Sequence, residues 1–237
     1  MVKLIKADFD GQVMQFNDWQ AMNNSQQTAW LEENAAASPM SKAKRGMICA
    51  VGINDAPYMT QQTIERKVVV CPAYRDWRSM IERAYSHKLH SRHPTYLGVV
   101  VNKEWHSFMA FREWWMLNQI DGYVLDKDIL SDTREYGPSS CIFIPAWLNL
   151  FITDSGASRG EWPVGVSLYK PTERFLSQCR NQISGKRENL GYFDNPEMAH
   201  AAWKIRKLEI AKELKEEMDG IDYRIYPRIT EIIENIK

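Results

Sequence analysis

The amino-acid sequence predicts an α+β protein: a central strand–loop–strand–helix unit, then a small three-stranded antiparallel sheet packed on a helix. Three observations carry this reading. Apolar residues recur three to four apart over 72–86 and 103–119, the period of an amphipathic helix. Short β-prone runs bracket a turn-rich loop over 121–145. Three further short alternating runs over 163–193 lead into a helical stretch bearing Ala and Trp. The chain accordingly divides into 1–70, which carries no recognisable motif, 71–160 with the central unit and the helices before it, 163–207 with the small sheet, and 208–237, a helical tail.

Composition bounds the function. The 237 residues are 44% hydrophobic and 25% charged and include nine Trp, enough to bury a substantial core. No apolar run approaches the ~20 residues of a membrane span, so no membrane partner is expected. The start MVKLIKADFDGQ has no apolar core of a secretory signal. Cys49, Cys71, Cys141 and Cys179 lie far apart with no CxxC pair, which argues against a zinc ribbon or disulfide framework and for a reducing, cytoplasmic setting. Equal numbers of acidic and basic residues, 30 each, would exclude a strongly basic nucleic-acid binder if the charges were evenly spread. They are not: 66–112 carries +6, 113–163 carries −5, 165–207 carries +4, and both ends are acidic. Two basic segments around a carboxylate-rich centre suit a polyanionic substrate.

Along the chain, 1–40 reads as a short apolar start followed by a polar helix around Trp19, Met22 and Trp30, and MSKAKRG as a basic linker. MICAVGI and KVVVC read as strands separated by the turn-rich NDAPYMTQQ. Over 72–86, Tyr74, Trp77 and Ile81 form a helical stripe, with Arg75 and Arg78 on the remaining positions as candidate phosphate contacts. His87, His90 and His93 fall in a loop before Pro94. Their spacing fixes no coordination geometry, so phosphate contact is the preferred reading. Trp105, Phe108, Phe111 and Trp115 read as core rather than a base-stacking platform.

In the central segment, Tyr123–Leu125 reads as a strand with Asp126, Lys127 and Asp128 at its end. SDTREYGPSS is a loop, Cys141–Ile144 a second strand, and AWLNLFI a helix opened by Pro145 and carrying Asn149. This layout resembles the ββα-metal unit of HNH endonucleases, specifically the phage versions, which include homing enzymes. The resemblance implies that Asp126 and Asn149 hold one Mg²⁺ or Mn²⁺, for which oxygen ligands are suited. The family's general-base His position is occupied by Lys127. A lysine is normally protonated at neutral pH, so the base falls to a Lys127 of lowered pKa, to Asp128, to His106 or to metal-bound hydroxide.

Residues 163–203 resemble an APETALA/ethylene-response-factor DNA-binding domain. The landmarks are Gly165-Val166, the strand around Phe175, GKRENLGYFD at 185–194, and the helical EMAHAAW. Val166, Leu168 and Phe175 are expected to point inward, with Asp194 capping the helix and Glu197 completing a capping box. The resemblance implies that the outer face of the sheet enters the major groove, presenting Lys170, Arg174, Gln178, Arg180, Lys186 and Arg187 to guanine edges, adenine and phosphates. Gly220 is expected to end the helix, and Ile225, Ile229, Ile232 and Ile236 to form the stripe of a last segment. The function expected is sequence-selective binding of double-stranded DNA, by a metal-dependent phage endonuclease or nickase or by a catalytically inactive relative that kept the scaffold. The oligomeric state is left open.

Overall fold

The computed structural model describes residues 14–152 and 161–236. It is a mixed α+β chain with small separate sheets, divided into two compact units, Met1–Phe143 and Ile144–Lys237. The apolar start at 1–13 lies outside the described residues. Among the described residues no helix is long and apolar enough to cross a membrane.

The first unit opens with α1 (Phe16–Ala21), α2 (Asn24–Asn34) and α3 (Pro39–Ala43). A reciprocal capping box starts α2: Asn23 accepts from the Gln26 amide while Gln26 Oε1 accepts from the Asn23 amide. The stretch read as a basic linker is ordered instead. α3 occupies part of it, and the Arg45 guanidinium donates to the carbonyls of Asn54, Ala56 and Tyr58 at 2.6–3.1 Å. MICAVGI is a tight turn rather than a strand. Ile48 and Gly52 exchange backbone hydrogen bonds across Cys49 and Ala50, both of positive φ. The chain crosses the Trp77 ring at Gly52, where an added Cβ would lie 3.0 Å from the indole. The hairpin forms one segment later, from β1 (Gln61–Ile64) and β2 (Lys67–Val70).

The core of this unit is built by α4 (Pro72–Tyr85), a single-turn α5 (His87–His90) and α6 (Phe108–Asn118). Trp77, Trp105, Phe108, Phe111 and Trp115 are all buried in it, as the stripe at helical spacing predicts. The indole N–H groups have partners: Trp77 donates to the Trp105 carbonyl at 2.8 Å and Trp115 to Asp76 at 2.9 Å. The segment read as one helix over 103–119 is two. A 3₁₀ turn at Lys103–His106 is followed by α6, whose start is set by Ser107 accepting from the Ala110 amide. β3 (Val100–Val101) pairs in parallel with β5 (Glu135–Tyr136), and β4 (Tyr123–Asp126) pairs with β6 (Ile142–Pro145), the strand within which the first unit ends.

The second unit continues with α7 (Ala146–Ile152), the antiparallel sheet β7 (Val166–Tyr169), β8 (Arg174–Arg180) and β9 (Arg187–Phe193), and the helices α8 (Pro196–Glu213), α9 (Lys215–Ile221) and α10 (Ile225–Asn235). α8 packs on one face of the sheet. Ser177 Oγ donates to the Ala199 carbonyl at 2.7 Å, and Trp203 lies against Gly165 so closely that a Cβ there would fall 2.1 Å from the indole. Asn195, not Asp194, caps α8 by accepting from the Met198 amide; Asp194 pairs with Arg174 instead. Leu168 shares the α8 side with Phe175 but is exposed there. Gly220 sits inside α9, because the helical path already breaks at Leu214. The tail folds back on α8. Ile225, Ile229 and Ile233 are buried, so the stripe shifts by one residue from the expected Ile232. Lys204 and His200 of α8 meet the carbonyls of Glu234 and Ile236.

Candidate nucleic-acid interface

The register of β7–β9 decides which side chains share a face. Opposed residues in antiparallel strands project to the same side, and the pairs Tyr169↔Arg174, Ser167↔Leu176, Leu176↔Tyr192, Gln178↔Asn189 and Arg180↔Arg187 define the face away from α8. The pairing skips Leu190, a one-residue bulge next to Gly191 at φ +117°. This bulge puts Arg187 and Asn189 on the same side as Tyr192. Simple alternation would have set them on opposite faces.

Arg174, Gln178, Arg180 and Arg187 therefore lie on one face, as expected, while Lys170 and Lys186 flank it from the turns. Sequence reasoning missed Ser167, Tyr169, Leu176, Asn189 and Tyr192 of this face, of which Tyr169, Asn189 and Tyr192 matter most for recognition. The two tyrosines, each 39% exposed, lie in ring contact at 5.1 Å. Period-two alternation could have flagged Tyr169, whereas the bulge hid Asn189. The carboxylate of the sheet is turned away. Glu188 projects to the α8 side, where Arg206 and Asn181 hold its pKa down to about 2. Of this face's arginines, Arg174 bonds Asp194 at 3.1 Å in an exposed pair.

The second candidate cluster lies in the first unit, at the end of β4. Asp126 is buried. Its Oδ1 accepts from the amides of Asp128 at 2.9 Å and Ile129 at 2.8 Å, so the carboxylate closes its own turn. Burial raises its pKa, offset in part by those amides. Lys127 is also buried; its ammonium is paired with Asp128 and lies 5.7 Å from the Tyr136 ring centroid. Burial pushes the neighbouring Tyr136 hydroxyl and Cys141 thiol each up to about 12. His106 is engaged elsewhere, its Nε2 3.1 Å from the Val101 carbonyl and its ring against Tyr85. Among the described residues, no hydrogen bond or ion pair joins His106 to this turn.

Asn149 is on α7, as expected, but in the second unit, whereas Asp126 belongs to the first. Among the described residues no group of three or more His, Cys, Asp or Glu side chains is arranged to hold a metal ion. One Asp126 oxygen is committed to two amides, and Asp128 is committed to an ammonium that would repel a divalent ion. Arg75 and Arg78 project from α4 at the surface, paired with Asp76 and Glu82. Comparisons with models of protein families, with curated proteins and with solved structures returned no match.

Proposed function

We propose that the second unit binds double-stranded DNA through the outer face of β7–β9. One observation carries the reading: the bulge at Leu190 sets Arg187 and Asn189, together with Tyr192, on the face that already carries Arg174, Gln178 and Arg180, and from which Glu188 is turned away. Guanidinium groups can grip phosphates or guanine edges, and the two amides match adenine. Tyr169 and Tyr192 supply flat contact area between the polar groups. Of the two expected roles, the binding role without cleavage is the one proposed, because Lys127 stands where the resemblance expects the general-base His and His106 is held at the Val101 carbonyl.

The test is fluorescence anisotropy of a labelled random duplex titrated with protein over a salt series. Binding should weaken steeply with salt, and the Arg180→Ala/Arg187→Ala double variant should lower the log–log slope by about 2, one phosphate contact per arginine. Salt-insensitive or absent binding overturns the proposal. Incubating supercoiled plasmid with Mg²⁺ or Mn²⁺ tests the absence of cleavage. Nicking by the parent that Asp126→Ala and Asn149→Ala both abolish would restore the nuclease reading.

A further inference from the structure

The second unit contains a cavity of about 440 Å³ that shares Gln178, Arg180 and Arg187 with the proposed DNA-binding face and is otherwise distinct from it. It opens where β7 begins. Val166 pairs with Ser177, and beyond that point the edge of β8 at Gln178 and Arg180 forms one wall, closed by α7, α8 and α10. The lining is mixed: Val166, Trp203, Ile232, Ile233 and Phe151 form its apolar part, and Gln178, Gln182, Arg180 and Arg187 its polar part. Lys207 is set into this wall.

Lys207 is 5% exposed and makes no ion pair or hydrogen bond among the described residues. Its ammonium lies 3.6 Å from the centroid of the Phe151 ring. Glu188, the carboxylate on the sheet's strands, is bound to Arg206. A buried cation is costly without a counter-charge, and a ring face replaces only part of the lost hydration. Burial holds the Lys207 pKa to about 8, so at neutral pH it is still largely an ammonium.

We propose that this cavity binds a small monocarboxylate with an apolar body, its carboxylate paired with Lys207 and its body against Val166, Trp203 and the isoleucines of α10. The volume falls within the ~300–1,000 Å³ of small-molecule sites. The charge count sets the ligand class. One cation is buried, so one negative charge neutralises it, while Arg180 and Arg187 stand at the exposed rim and keep their own hydration. A carboxylate would give the ammonium the charge-assisted hydrogen bond it lacks.

The test is isothermal titration of the full chain with octanoate and 3-phenylpropionate, and with the uncharged 3-phenylpropanol, at neutral pH. Saturable one-to-one binding of a carboxylate is expected, with the alcohol weaker by about tenfold or more. Lys207→Met should weaken carboxylate binding by a similar factor. Leu150→Trp enlarges an exposed lining residue. It should block the cavity mouth and lose binding without touching Lys207. No saturable binding of either acid, equal binding of the alcohol, or full affinity in the Lys207→Met protein each overturns the assignment. Because the probes are not nucleic acid, failure here leaves DNA binding by the sheet standing, and the reverse.

Discussion

Replacing Lys207 with Met should make the protein more stable. Methionine keeps an unbranched apolar stem of similar length and removes only the charged end. In the folded chain the Lys207 pKa falls from 10.5 to about 8, because burial disfavours the charged form. Each tenfold change in a proton equilibrium is about 1.4 kcal/mol, so holding this ammonium in its site at neutral pH costs about 3 kcal/mol. The contact with Phe151 is lost in the variant, and a desolvated contact of this kind is worth about 1–2 kcal/mol. The net gain is then about 1–2 kcal/mol. The pH dependence follows from linkage. The unfolded chain binds more protons than the folded one between pH 8 and 10.5, so the lysine's penalty is complete below pH 8 and fades as pH rises to 10.5. Urea unfolding of both proteins should show a stability gap at pH 7 that closes toward pH 10.5. Groups common to both proteins, including the Cys179 thiol beside Lys207, largely cancel in the difference. A variant less stable than the parent at pH 7, or a gap that stays constant with pH, would refute the view that Lys207 is an uncompensated buried cation.

Two further substitutions test how local contacts hold each unit. Gly165→Ala should destabilise the second unit by more than about 2 kcal/mol in urea unfolding. The residue sits at φ +80°, and its new methyl would overlap Trp203. An effect under about 1 kcal/mol would show that α8 yields easily. Asp126→Asn retains the oxygen that closes the turn and removes a buried charge, so its stability at pH 7 should match or exceed the parent's. Asp126→Ala should lose about 1–3 kcal/mol by stranding the Asp128 and Ile129 amides. Because the folded-state pKa of Asp126 is raised, its ionised form is disfavoured as pH climbs above 3.8, and the advantage of Asn should appear across that rise. Equal destabilisation by Asn and Ala would mean that the charge itself is needed.

Elements governed by neighbouring residues were legible in the sequence. The succession of β4, β6 and α7 follows from β-prone runs, turn residues and the position of Pro145. The aromatic stripe of 105–115 is core, as its period requires, and the three strands before α8 lie where the alternating runs put them. Candidate DNA-facing residues on β8 were also legible, because alternation along one strand is a local rule. Three matters needed the tertiary structure. Which face Arg187 and Asn189 share depends on the Leu190 bulge, set by pairing between strands rather than by composition. The burial of Asp126 depends on packing, although the amides and the ammonium that engage Asp126 and Asp128 come from residues 127–129 themselves. Lys207 reads in sequence as one more charge on a basic helix, and only the packing of α7 and α10 around α8 removes it from water. Local periodicity determines where the chain bends into helix and strand, whereas the fate of charges such as Lys207 and Glu188 is decided by residues distant in sequence that close around them.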